Sequence, residues 1–140
     1  MSSPSIPLEK PQLYELSPGN NTLALLAARC RDCGAITFPA ASYGCRQCGA
    51  PPDRLAAEKL SGRGRLREFI TVHLELVPGL KPPIVVGDVE IADGLVEEVV
   101  MGCPEGELAH EMFVQAVPIE TGEGEQRKIV CRFIPAGAAP

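Results

Sequence analysis

The sequence predicts a mainly β protein in which a small cysteine-rich module is followed by a five-stranded antiparallel barrel. Two features of the 140 residues predict this class. Residues 29–50 contain four closely spaced cysteines but too few apolar side chains to form a core. After residue 54, five short stretches of alternating hydrophobicity are separated by turn residues, without a long helical pattern between them. The OB-fold is the leading candidate for this second part, because it is a five-stranded barrel with a strongly coiled first strand.

These features divide the chain into three expected segments. Residues 1–22 are expected to form an N-terminal tail or docking segment that orders against a partner, since the first eleven hold three prolines and little periodic hydrophobicity. Residues 23–53 are expected to form the cysteine-rich module, and residues 54–136 the barrel. The stretch "LALLAARC", which leads into the first cysteine, fits either a short helix or a strand.

The first barrel strand is predicted from the stretch "SGRGRLREFITVHLEL", which alternates with a period of two. Gly62 and Gly64 lie where this strand must bend sharply. The alternation places an apolar face opposite a polar one; the apolar face comprises Leu66, Ile70, Val72, Leu74 and Leu76, and the polar face comprises Arg63, Arg65, Arg67, Thr71 and His73.

Four further strands complete the predicted barrel. "PPIVVGDVEI" and "LVEEVVM" form a strand pair, with Gly94 supplying the turn between them. "MFVQAVPIE" and "RKIVCRFIP" form a second pair, separated by the turn-rich "TGEGEQ". The sequence contains neither an internal repeat nor a βαβ alternation, so a parallel sheet is not expected.

The four clustered cysteines have the spacing of a tetrahedral metal site. Cys30 and Cys33 form one Cys-x-x-Cys turn, and Cys45 and Cys48 form a second after eleven intervening residues. Each turn can deliver two soft thiolate ligands, and two turns complete the shell of a zinc ion. A glycine follows each pair, where a positive φ lets backbone N–H groups reach the sulfurs. Three nearby arginines are expected to offset the negative charge of a zinc tetrathiolate: Arg29, Arg31 and Arg46.

Other uses of this ligand set are less consistent with the sequence. A single iron can take four thiolates in rubredoxins, but those proteins are aromatic-rich and this chain is only 4% aromatic. A dithiol oxidoreductase needs a thioredoxin-like βαβ pattern around one Cys-x-x-Cys, and that pattern is missing. Because four thiolates close the coordination shell, whereas a catalytic zinc keeps one position open for water, we interpret the zinc as structural.

The remaining reactive side chains do not form an evident catalytic set. Cys131 is expected to be a small buried apolar group on the face of Ile129 and Phe133, and Cys103 lies at a turn. The two histidines, His73 and His110, lie on a polar strand face and in a polar loop. Five acidic residues are best explained as a solvated edge: Glu97, Glu98, Glu105, Glu107 and Glu111.

Charge and composition narrow the class of partner. The formal net charge is -5 and the pI is about 5.0, which argues against binding a nucleic-acid backbone. Three guanidinium groups on one strand face could still contact phosphate groups, with a solvated face as the alternative: Arg63, Arg65 and Arg67. Since no leader and no run of about 18 apolar residues is present, we expect a cytoplasmic protein that does not span a membrane.

The order of the segments "CRDCGAITFP", "CRQCGA", "GRGRLREFITVH", "PPIVVGDVEIADG" and "RFIP" resembles a known family. It is similar to the zinc-ribbon plus OB-fold proteins formerly catalogued as domain-of-unknown-function family thirty-five, over about residues 12–135. One class of members that it resembles is the small subunits of benzoylsuccinyl-CoA thiolases. The sequence departs from the family pattern at "AASYG" before the second knuckle and in the acidic segment 97–111.

This resemblance implies a rubredoxin-like zinc ribbon held by Cys30, Cys33, Cys45 and Cys48, joined to an OB-fold barrel. It also implies a non-catalytic accessory subunit that docks on a thiolase-fold enzyme and completes an acyl-CoA site, while the partner chain carries the thiolytic or retro-aldol chemistry. With such a site, the candidates for contact with the phosphates of coenzyme A are Arg63, Arg65 and Arg67. Two alternatives remain: a partner of an acyl-CoA hydratase, or a nucleic-acid-binding zinc-ribbon OB protein. The two departures from the family pattern and these two alternatives leave the expected fold unchanged. They concern which partner the chain binds.

Overall fold

The computed structural model describes residues 6–19, 21–40, 43–75 and 78–136. Within these residues the chain forms nine β-strands and three short 3-10 turns, without an α-helix. None of the three short 3-10 helices is long and apolar enough to cross a membrane, and no other helix occurs in the described residues. The described residues fold into two compact units, one within residues 6–61 and 118–131 and the other within residues 62–117 and 132–136.

The sheet of the first unit is built around one long strand. It contains β1 (Tyr14–Leu16), β2 (Leu23–Cys30), β3 (Ile36–Thr37) and β4 (Leu55–Leu60), and the other three all pair antiparallel with β2. The stretch "LALLAARC", for which the sequence left a helix or a strand open, is therefore the strand β2. Leu23, Leu25 and Ala27 are buried at alternate positions along it, which is the burial pattern of a strand with one covered face. The strand β4 was not predicted from the sequence.

Residues 7–16, expected to lie in a tail that orders against a partner, instead pair with the chain itself. The Glu9 N–H donates to the Ile129 carbonyl at 2.8 Å, and the Ile129 N–H donates to the Pro7 carbonyl at 2.8 Å. Tyr14 is buried, with only 4% of its surface exposed. Backbone pairing and burial of an aromatic ring therefore hold this segment against its own chain, and its docking on a partner stays a prediction.

The five strands of the second sheet have the order expected of an OB-like barrel. In chain order these strands are β5 (Arg63–Val72), β6 (Ile84–Ala92), β7 (Leu95–Val100), β8 (Phe113–Thr121) and β9 (Lys128–Pro135), and the sheet order is β7-β6-β5-β8-β9. Met101, just after β7, forms a parallel bridge with Phe133 of β9, and the Gly102 N–H donates to the Phe133 carbonyl at 2.7 Å. This contact joins the two ends of the curled sheet, so the predicted mainly β fold is confirmed.

A bulge in β5 changes the faces predicted for this strand. Its pairing with β6 shifts register between Leu66 and Glu68, which reverses the inward and outward alternation beyond that point. Leu66 is fully buried as predicted, but Ile70 is 61% exposed. Leu74 lies past the end of the strand and is 71% exposed. Leu76 lies outside the described residues.

Gly64 permits a close approach of β5 and β6. A Cβ atom at this position would lie 2.5 Å from the Val89 Cγ1 atom and 2.6 Å from the Glu90 carbonyl oxygen. Its φ is not positive, so its role is close packing rather than the sharp bend expected from the sequence. Gly62, at φ +80° just before the strand, does take the left-handed conformation that favours glycine.

Replacing Gly64 by alanine should therefore destabilise the barrel by about 2 kcal/mol, because the clashing carbonyl belongs to the backbone and cannot rotate away. Urea denaturation followed by circular dichroism measures this loss. Gly106→Ala is the matched control, since a Cβ there has no neighbour within 4 Å and should change stability little. Equal stability of the two variants would contradict the close-approach role of Gly64.

Candidate metal centre

The four clustered cysteines lie on two turns that have the same hydrogen-bond pattern. In the first turn the Gly34 N–H donates to the Cys30 carbonyl at 2.9 Å, and in the second the Gly49 N–H donates to the Cys45 carbonyl at 3.1 Å. Gly34 has φ +81° and Gly49 has φ +77°. The repeated "CRxCGA" sequence thus folds into two equivalent knuckles, as the glycine positions predict.

The cysteine sulfurs converge on one point. All four Sγ atoms lie within 4.8 Å of one another. The Sγ atoms of Cys30 and Cys48 are 3.6 Å apart, and those of Cys33 and Cys45 are 3.5 Å apart. Four sulfurs at about 2.3 Å from a tetrahedral zinc ion would lie roughly 3.8 Å from one another. The arrangement therefore fits one zinc ion, which these cysteines could hold.

Backbone N–H groups point at the sulfurs, as the sequence predicts. The N–H groups of Gln47 and Cys48 both donate to the Cys45 Sγ at 3.4 Å, and the Asp32 N–H donates to the Cys30 Sγ at 3.4 Å. Such bonds stabilise a thiolate over a thiol. They come from N–H groups two or three residues after the first cysteine of each pair, within the turns that the glycines terminate.

The thiols of this cluster have strongly different acidities. The Cys48 and Gln47 N–H groups lower the pKa of the Cys45 thiol to about 6. The Ala50 N–H lowers the pKa of Cys48, but desolvation and the surrounding thiols outweigh it and raise that pKa to about 12. Without a cation, four adjacent sulfurs cannot all lose their protons near neutral pH. A bound divalent metal ion would remove this restriction, because it stabilises all four thiolates.

The core around the metal centre is small. It consists of Cys30, Cys45 and Ala50, with Ala35 and Leu55 partly buried against it. Two of these five residues are themselves metal-site cysteines, so little apolar surface is left to hold the knuckles together. The apolar cluster at the knuckles is therefore small and includes two of the cysteines themselves.

Two of the arginines near the cluster, Arg29 and Arg46, donate hydrogen bonds to backbone carbonyls. Arg29 donates to both carboxylate oxygens of Glu58 at 2.8 Å and to the Gly34 carbonyl at 2.8 Å. The pKa of Glu58 is lowered by its hydrogen bond with this guanidinium. Arg46 donates to the Ile36 carbonyl at 2.6 Å. Sequence reasoning missed Glu58, because it lies 29 residues from Arg29 on a strand that has no local signal.

A further ion pair connects the first knuckle to the turn before β4. Arg54 donates through Nε and Nη2 to the Asp32 Oδ1 at 2.9 and 2.7 Å. The Arg31 N–H donates to the Arg54 carbonyl at 2.8 Å. Side-chain and backbone contacts thus both hold the segment after the second knuckle against the first.

The arginine stripe of β5 is already engaged within the chain. The guanidinium carbons of Arg63 and Arg65 lie 5.1 and 5.2 Å from the centre of the Phe113 ring, within the range of a cation–π contact. Arg67 donates to the Glu111 Oε2 at 2.6 Å and lies 3.4 Å from the Glu90 Oε1. The sequence reasoning missed Phe113, which reaches the stripe from β8. Contact of these arginines with coenzyme A phosphates stays a prediction.

The remaining thiol and imidazole groups lie at several places in the described part of the chain. Burial and the negative charge of Glu107 raise the pKa of Cys103. Cys103 and His73 both line a surface groove of about 540 Å³, although they are thirty residues apart. His110 is exposed and lies against Phe69 with ring centres 4.9 Å apart. Cys131 is only half-buried, whereas its neighbour Val130 is buried, so the prediction of a fully buried Cys131 is wrong.

The fold and the metal site together define a zinc-ribbon plus OB-fold protein. Residues 22–53 match the family described as "ChsH2, rubredoxin-like zinc ribbon domain". A solved chain described as "Ltp2-ChsH2(DUF35) aldolase" has a similar fold, with a TM-score of 0.61 and 22% sequence identity. The match covers 95% of this chain and 98% of that chain. No curated protein is significantly similar in sequence. These comparisons confirm the resemblance to the DUF35 zinc-ribbon family, and they leave the finer resemblance to benzoylsuccinyl-CoA thiolase subunits as a prediction.

Proposed function

We propose that this chain is a non-catalytic accessory subunit that binds a thiolase-fold enzyme acting on an acyl-CoA, and that Cys30, Cys33, Cys45 and Cys48 hold its structural zinc. The observation that supports this proposal most directly is the closed four-sulfur site joined to an OB-like barrel. The same ribbon and fold occur in the chain described as part of an Ltp2-ChsH2(DUF35) aldolase. An aldolase assembly agrees with the expected retro-aldol chemistry on the partner chain.

The closed arrangement of the four sulfurs favours a role in which this chain's metal site takes no part in catalysis. Four thiolates would leave a zinc ion without an open position for water or substrate. The raised pKa of Cys103 keeps that thiol protonated and poorly nucleophilic at neutral pH. The thiolytic or retro-aldol step would therefore take place on the partner, and this subunit would complete or stabilise the partner's acyl-CoA site.

The nucleic-acid alternative has less support. Single-stranded nucleic acid is held by basic grooves with exposed aromatic platforms. Here the net charge is -5, and Arg65 and Arg67 lie next to the carboxylate of Glu111. The aromatic ring near the stripe, Phe113, is covered by guanidinium groups. Binding of DNA or RNA would appear as retention with a steep salt dependence.

Co-expression with the thiolase-fold chain encoded nearest to this gene tests the proposal. We expect one gel-filtration peak that contains both chains, with one zinc ion per copy of this subunit. An acyl-CoA hydratase chain expressed in the same way is the matched control and should elute separately. Separate elution of the thiolase-fold chain from folded, zinc-loaded subunit would contradict the proposal, and co-elution with the hydratase instead would replace the partner.

A further inference from the structure

Three carboxylates form a row across the outward face of the barrel sheet. Glu68 of β5 is paired directly with Asp88 of β6, and Asp88 is paired directly with Glu98 of β7. Directly paired residues on neighbouring strands point to the same side of a sheet, with Cβ atoms about 5 Å apart. The Glu68 side chain is 73% exposed, so this side faces outward.

No lysine or arginine within the described residues neutralises the middle and far members of this row. The ion pairs found there reach other carboxylates, and neither Asp88 nor Glu98 takes part in one. Among the described residues, Glu68 forms its ion pair with a histidine, His110, at 3.2 Å. Like charges directly opposite each other destabilise a sheet. The mutual repulsion of these carboxylates therefore lowers the stability of the free chain, and no lysine or arginine contact of Asp88 or Glu98 within the described residues offsets it.

An apolar row of side chains lies on one side of the acidic row. One row further along the strands, Ile70, Val86 and Val100 are paired across β5, β6 and β7. Ile70 is 61% exposed, and the two valines are half-buried. On the other side, the next row pairs Arg65, Glu90 and Val96, of which Val96 is 46% exposed. Since residues two apart on a strand share a face, all of these groups lie on one surface.

We propose that this surface is the docking face for the enzyme partner, and that the partner presents lysine or arginine side chains flanked by apolar residues. We call it the acidic sheet face, and it comprises Glu68, Ile70, Val86, Asp88, Val96, Glu98 and Val100. The inference rests on the proposed function, because it assumes that a partner subunit exists. Cations opposite the carboxylates relieve their mutual repulsion, while the row of Ile70, Val86 and Val100 and the side chain of Val96 bury apolar area.

A second copy of this chain is a poorer occupant of the face. A two-fold contact places the same patch on both subunits, so that acidic rows would meet acidic rows. Each chain also carries a net charge of -5, which adds long-range repulsion. A partner of opposite local charge is therefore favoured over self-association.

The double variant Asp88→Asn with Glu98→Gln tests the electrostatic part of the proposal. It should weaken binding to the co-expressed thiolase-fold chain at least about tenfold in calorimetric titration, and added salt should weaken the wild-type complex more than the variant complex. The free variant should be as stable as the wild type or more stable, because the repulsion is removed. The matched control is Glu123→Gln with Glu125→Gln, which removes the same charge from an exposed turn and should bind like the wild type.

A second pair of variants tests the apolar part. Ile70→Thr should weaken the complex, whereas Ile119→Thr, at a position on β8 that is 40% exposed, should not. Hydrogen exchange of the complex should show added protection at residues 68–70, 86–88 and 96–98.

The outcomes separate this inference from the proposed function. A complex that forms with wild-type affinity in all face variants would overturn the docking face and leave the accessory role intact. The absence of any complex with the wild-type chain would overturn both. Self-association of the chain that is lost in the Ile70→Thr variant would assign the face to a second copy and overturn the proposal.

Discussion

Replacement of Cys30 or Cys45 by serine should release the zinc ion and unfold the ribbon. The remaining core of the knuckles is Ala50 with two partly buried neighbours, which cannot replace the metal. In small zinc ribbons, metal binding contributes on the order of 10 kcal/mol to folding. Zinc content should fall from one ion per chain to nearly none, and residues 29–50 should become sensitive to limited proteolysis.

The two cysteines outside the cluster provide the matched control for this experiment. Cys103→Ser and Cys131→Ser make the same chemical change at half-buried positions away from the four converging sulfurs. Both variants should retain one zinc ion and the wild-type proteolysis pattern. A Cys30→Ser protein that keeps full protease resistance across residues 29–50 after losing zinc would show that the metal does not hold the ribbon.

Leu66→Ala should cause the largest loss of stability in the barrel. Leu66 is fully buried, and its Cδ1 atom lies so near Gly87 that a Cβ added there would be 2.8 Å away. Removing a leucine from such a packed site leaves a cavity and costs about 3 kcal/mol. The urea midpoint should fall, while the slope of the unfolding free energy with denaturant stays the same.

Leu74→Ala is the control for this core substitution. Leu74 is 71% exposed, so the same truncation should change the unfolding free energy by less than about 0.5 kcal/mol. The sequence alone assigned Leu66 and Leu74 to the same face of one strand. Similar losses in the two variants would therefore support the uninterrupted alternation and contradict the bulge.

The parts of the molecule that depend on local chemistry could be predicted from the sequence. The two knuckles follow from the spacing of their cysteines and the glycine after each pair, and the structure reproduces both positive φ values. The turn at Gly94 has φ +73° and joins β6 to β7, as its "ADG" sequence predicts. Each of these features is determined by a few adjacent residues.

The features that could not be predicted depend on distant residues or on a single inserted position. The pairing of Leu8 with Ile129 joins segments more than a hundred residues apart. The Glu58 carboxylate that holds Arg29 lies on β4, whose "LAAEKL" sequence has weak alternation. The bulge after Leu66 moves Ile70 to the outside, and a simple period-two pattern does not reveal where a bulge occurs.

The wrong assignment of Ile70 to the core also hid the proposed docking face. With Ile70 assigned to the core, no apolar outer surface is expected on β5. With Ile70 outside, the strand register brings it beside three aligned carboxylates from three different strands. Functional surfaces of this kind depend on register, which is set by tertiary pairing rather than by any one segment.

The central claim is that this zinc-loaded chain supports catalysis by another subunit. The most direct measurement is the rate of acyl-CoA carbon–carbon bond cleavage by the purified thiolase-fold chain, titrated with this protein. We predict that activity rises with added subunit and saturates at a fixed stoichiometry, while this protein alone is inactive. Equal activity of the thiolase-fold chain without the subunit, at every ratio tested, would contradict the account.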